Sequence, residues 1–84
     1  MNGADGGMVY EKIRSSLAEQ FETDIEKITR DTDVMSDLGA DSLDLIELIM
    51  ILEEEFAVSV VDESVYEYQT VGEIADFIES LMKA

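Results

Sequence analysis

The 84-residue sequence contains no cysteine and no histidine. Without cysteine there is no disulfide framework, no thiolate nucleophile and no thiolate metal ligand. Without histidine the usual general base near neutral pH is missing, as is the usual nitrogen ligand for zinc. Proline is absent too, so nothing in the chain forces a helix to break. No apolar run approaches the ~20 residues that cross a bilayer, and no segment reads as a secretory signal. Bases are scarce: Lys12, Arg14, Lys27, Arg30 and Lys83 face 21 acids, for a formal net charge of −16. From Asp31 to Met82 there is no base, and that interval holds fifteen of the 21 acids. Such a surface repels nucleic acid and anionic membrane and suits a basic patch on another protein. The expected protein is a cytoplasmic monomer without membrane insertion.

One-signed charge at this density can also signal disorder. Against that, 46% of the residues are hydrophobic, and they fall at helical spacing. A chain this short makes one small domain with a modest core. Residues 1–7 are Gly-rich and without periodicity, and are expected to be a flexible tail or an added leader, with Met8 as the native start and residues 8–84 as the domain. Val9, Ile13, Leu17 and Phe21 recur every four residues and predict a first helix over residues 9–21. Residues 22–38 read as a long polar connection pinned to the core by Ile25, Ile28, Val34 and Leu38, with a helical turn possible over residues 25–29.

A second helix is expected over residues 41–56. Val58 to Val61 have strand-like composition, but a lone strand would have no partner, so a connection is expected there. Residues 62–68 predict a short third helix with Val65 and Tyr68 inward and Asp62 and Glu63 favouring its start. Thr70 and Glu73 form a capping-box pattern that opens a fourth helix. Its buried stripe is Val71, Ile74, Ala75, Ile78 and Leu81, and Lys83 suits its C-terminal end. The predicted fold is all-α: a small bundle of three longer helices and one short helix, with a long loop between helices one and two.

The second helix is too apolar for a single buried face. Leu45, Leu48, Ile49, Leu52 and Phe56 account for the core stripe. Leu43, Ile46 and Met50 lie on another face, flanked by Asp44, Glu47, Glu53 and Glu54. An apolar strip rimmed by carboxylates reads as a docking surface, with acids to steer a basic partner and an adaptable Met50 to meet several. The alternative is that the bundle wraps this helix on most sides and the three residues are core. At its start, Asp41 is a good N-cap, Asp44 can complete an Asp version of the capping box, and Gly39 lets the loop turn in. Ser42 lies at this turn. It cannot be a triad nucleophile, because the chain has no His or Cys. A covalent attachment point and an ordinary helix-start serine remain. Asp31, Asp33 and Asp37 touch the pattern of a calcium loop, but its sixth position is Ser36 and its twelfth is Ser42, so no metal site is expected.

Gly39-Ala40-Asp41-Ser42-Leu43-Asp44, with Glu47-Leu48 and Leu52-Glu53-Glu54-Glu55-Phe56, resembles the acyl carrier proteins of fatty-acid and polyketide synthesis. The resemblance covers roughly residues 9–81. It implies a carrier, not an enzyme, whose Ser42 bears a 4'-phosphopantetheine arm through a phosphodiester and holds acyl intermediates as thioesters. It implies that a phosphopantetheinyl transferase recognises Asp41, Ser42 and Leu43. It implies that acyl-processing enzymes with basic patches meet Leu43, Asp44, Ile46, Glu47, Met50, Glu53 and Glu54. It also implies shelter for an acyl chain between the helices, with Leu45, Ile49, Ile51, Leu52, Val65 and Tyr68 as lining. The chain departs from the family in having Val61 where a proline often opens the short helix, a larger residue at Ile51, and a more aromatic third helix with Tyr66 and Tyr68. Rival readings are a carrier of other cargo, such as an aminoacyl group, and an unmodified acidic interaction module.

Overall fold

Four α-helices carry the computed structural model, which describes residues 4–61 and 63–82. They are α1 (Ala4–Gln20), α2 (Val34–Leu38), α3 (Ser42–Phe56) and α4 (Val71–Met82), with 3₁₀ turns at Ile25–Lys27 and Glu63–Glu67. No strand forms among the described residues; residues 58–61 are a connection, as their isolation requires. Each long helix turns its apolar stripe to one core. Val9, Ile13 and Leu17 of α1, Leu45, Leu48, Ile49 and Leu52 of α3, and Val71, Ile74, Ala75 and Ile78 of α4 are buried together with Ile28, Val34 and Val65. Burying one such Val, Leu or Ile side chain contributes about 1.5–3 kcal/mol, so this shared core is the main source of stability. Phe21, Phe56, Val58, Val60, Tyr68 and Leu81 pack at its edge.

The structure corrects the sequence reading at several places. α1 runs over Ala4–Gln20 where a helix over residues 9–21 was expected, and residues 1–3 lie outside the described residues. Glycines cost a helix only about 1 kcal/mol each, and nothing ahead of Val9 stops it. The long connection contains the expected turn but also α2, which was not foreseen. Asp33 caps α2, its Oδ1 accepting the N–H groups of Met35 and Ser36 at 3.1 and 2.8 Å. Gly39 ends it at φ 77°, a left-handed conformation that glycine adopts without a Cβ penalty. The short third helix is a 3₁₀ turn, and Asp62 and Lys83 lie outside the described residues.

The start of α4 is laced to the connection before α2. Val71 N–H donates to Thr32 O at 3.0 Å, Gly72 N–H to Arg30 O at 2.9 Å, and Val34 N–H to Gln69 O at 2.8 Å. A Cβ on Gly72 would stand 3.1 Å from Arg30 O, which explains a glycine inside a helix. The expected capping box is present: Glu73 N–H donates to Thr70 Oγ1, and Thr70 N–H to Glu73 Oε1. Arg14 ties α1 to the first turn, donating to Ile28 O at 2.7 Å and Ile25 O at 2.8 Å. Together these bonds hold the 22–41 connection against the bundle and bring the loop into α3 at a fixed place. Ala40, buried, donates its N–H to Val34 O there.

Candidate functional site

Ser42 is the first residue of α3 and is exposed. The capping is done by its neighbours. Asp44 N–H donates to Asp41 Oδ1 and Asp41 N–H to Asp44 Oδ2, both at 3.0 Å, so the predicted Asp capping box is complete. The Ser42 hydroxyl therefore has no capping duty and no partner among the described residues. The N–H groups of Ser42 and Leu43 likewise meet no protein acceptor there. They belong to the positive end of the helix dipole, a setting that favours an anionic group. A phosphodiester on Ser42 would fit this position, beside two N–H groups that no protein acceptor takes among the described residues, while the carboxylates of Asp41 and Asp44 are engaged with other donors.

Along α3 the second apolar set faces outward, so the core alternative is ruled out. Leu43 is 69% exposed, Met50 58% and Ile46 38%. Glu47, Met50, Ile51, Glu53, Glu54, Val58 and Ser59 line an open groove between the second half of α3 and the connection after it. Ile51, expected in the interior, is 38% exposed and belongs to this groove. The other five residues expected to line an acyl shelter are buried or half-buried.

The acids divide by use. Glu53 Oε2 accepts Val60 N–H at 2.7 Å and holds the connection against the helix. Asp44 is half-buried; besides the cap, its Oδ1 accepts Gln20 Nε2 at 3.0 Å. Glu47 and Glu54 are exposed and have no partner among the described residues. Asp33 and Asp37, which touched a calcium pattern, serve the backbone instead: Asp37 Oδ2 accepts Asp33 N–H at 2.8 Å. Val58, Ser59 and Gln20 were not expected at the site from the sequence. The first two join the site through the left-handed turn at Ala57 (φ 54°), and Gln20 through helix packing, which no local pattern signals.

The family model described as the phosphopantetheine attachment site matches residues 11–78. The acyl carrier protein of Clostridium acetobutylicum is 41% identical over 73 residues, covering 87% of this chain and 95% of that protein. The chain belongs to the acyl carrier protein family. A solved structure of the acyl carrier protein from Enterococcus faecalis superposes with a TM-score of 0.77 at 29% identity, covering 90% of this chain and 96% of that one. As an acyl carrier protein the chain is a carrier and not an enzyme, its cofactor is 4'-phosphopantetheine, and it works with acyl chains and acyl-processing enzymes. The aminoacyl and unmodified readings are not favoured. No helix among the described residues is long and apolar enough to cross a membrane.

Proposed function

We propose that Ser42 is the attachment residue and that a phosphopantetheinyl transferase reads Asp41, Ser42 and Leu43 together. The observation that carries this is the division of labour at the start of α3. Asp41 caps the helix, so Ser42 presents an exposed hydroxyl with no protein partner. The arm, when bound, supplies a terminal thiol that forms thioesters, which this cysteine-free chain otherwise lacks. The protein's own part is to hold the phosphodiester at the helix N-terminus and to present the arm to other enzymes. Leu43, Ile46 and Met50 supply apolar contact, and Glu47 and Glu54 steer basic partners. Asp44 and Glu53 act mainly by holding the surface in shape. Leu45, Ile49, Leu52, Val65 and Tyr68 are the residues an acyl chain meets between the helices. We assign the chain to fatty-acid or polyketide synthesis, as a cytoplasmic monomer, in keeping with its one-signed charge.

The test is intact mass after incubation with coenzyme A and a broad-specificity transferase, beside a Ser42→Ala control. The native chain gains one phosphopantetheine and Ser42→Ala gains none while keeping its helical circular dichroism. A folded native chain that gains nothing beside an active transferase rules the assignment out.

A further inference from the structure

The turn that presents Ser42 is held mostly by local contacts. Asp41 and Asp44 cap each other across three residues. First turns fray, and two carboxylates placed together in a chain of net charge −16 add repulsion. One side chain from another helix reaches this turn with a hydrogen bond among the described residues. Gln20, the last residue of α1, donates Nε2 to Asp44 Oδ1 at 3.0 Å, across 24 positions of sequence. It uses the carboxylate oxygen that the capping box leaves over, because Oδ2 takes the Asp41 N–H. Asp44 is thereby held at both oxygens, and both side chains are half-buried, where water competes less for the bond.

We infer that Gln20 is a positioning residue for arm attachment: through Asp44 it holds the capping box and so the orientation in which Ser42 Oγ meets the transferase. The inference rests on Ser42 being the attachment residue. Without the tie, the Asp44 carboxylate turns toward water, the first turn frays, and the hydroxyl samples orientations that do not react. Holding a nucleophile near its reacting geometry acts on the rate at saturation. The outward contacts at Ile46, Glu47, Met50 and Glu54 lie beyond the first turn and are untouched, so most of the docking surface is preserved. The loss therefore appears in kcat and not in KM.

Attachment rates are measured by intact mass over a series of concentrations of the full chain, with coenzyme A and transferase. The variants are Gln20→Leu, Gln20→Glu and the double variant Gln20→Glu with Asp44→Asn. Leucine removes the donor. Glutamate sets an acceptor against an acceptor. In the double variant the polarity is reversed: the new amide donates to Glu at position 20 while its carbonyl still accepts the Asp41 N–H, and the net charge stays as in the native chain. Loss of one charge-assisted bond predicts a fall in kcat of about fivefold in each single variant, with KM within about twofold of native. The double variant returns kcat to near the native value, and amide exchange at Asp44 quickens and recovers in parallel. Native kcat in Gln20→Leu, or a double variant as slow as Gln20→Glu, overturns the inference while leaving attachment at Ser42 intact. A native chain that takes up no arm is a separate result, seen before any variant is compared. It removes the attachment reading and this inference with it.

Discussion

Among the acids of α3, position along the helix says little about role. Glu47 and Glu54 are exposed and unengaged among the described residues, whereas Glu53 accepts the Val60 N–H at 2.7 Å. Reversing Glu47 or Glu54 to Lys is expected to lower kcat/KM of a partner enzyme about tenfold, through lost steering and a repulsive contact, with Tm nearly unchanged. Glu53→Lys has the same sign for the partner but also costs about 1 kcal/mol of stability, because a loop N–H loses its acceptor. In a domain of this size that lowers Tm by roughly 4–8 °C. Thermal melts beside partner kinetics separate the two classes. Asp44, Glu47, Glu53 and Glu54 were visible in the sequence as a rim. Which of them are engaged was not, because the partner of Glu53 lies seven residues on, beyond the end of the helix, and that of Asp44 lies on α1.

At the scale of elements, carboxylate caps define the helix starts. Asp33 opens α2, Asp41 opens α3, and Thr70 with Glu73 opens α4. The Asp33 carboxyl is held below the usual carboxylate range, chiefly by the backbone N–H of Ser36, then by the Ser36 hydroxyl and by Met35 N–H. A depressed folded-state pKa contributes stability that is complete above the unfolded value, near pH 4, and is lost as pH falls through the folded value. Asp33→Asn keeps a capping oxygen and removes the charge. The native chain is therefore expected to melt higher than Asp33→Asn at about pH 7, and the gap closes below about pH 4. A gap of constant size down to about pH 2 would show that ionisation of Asp33 contributes nothing. The caps of α3 and α4 were legible from residue order alone. α2 was not: five residues are too few for a periodic stripe, and in the sequence Asp33 and Asp37 stand out only as part of a failed calcium-loop pattern, not as caps of a helix.

For the whole molecule the few bases matter by placement. Arg14 and Arg30 both lie over the Tyr10 ring, at 5.2 and 5.9 Å. Arg30 also donates to Asp76 at 2.7 Å, and Lys12 pairs with Glu55 at 3.5 Å. Arg14 and Arg30 thus serve the seam between α1, the connection and α4, and Lys12 ties α1 to Glu55 of α3, while the side of α3 that carries Glu47 and Glu54 stays acidic. Screening acts on the two kinds of contact in opposite directions. Between about 0.01 and 0.15 M salt the Debye length falls from roughly 30 to 8 Å. Tm is expected to rise by several degrees as self-repulsion is screened, while kcat/KM for a basic partner falls. Calorimetry and partner kinetics across one salt series test both, and a Tm that falls with salt would mean the ion pairs of the seam outweigh the repulsion.

By itself the sequence determined the helical class, the core stripes, two capping boxes and the second, exposed apolar strip of α3, because each follows from residues three or four apart on one helix. It also carried Gly39 to Asp44, the stretch in which the resemblance to the family is read. Tertiary structure decided the rest. It placed Ile51 in a surface groove, because the stripe beside it already filled the core. It drew α2 out of the long connection by lacing Val34 to Gln69, and it took Asp44 and Glu53 into internal bonds. These depend on groups brought together by packing, and residue order does not encode a distance between helices.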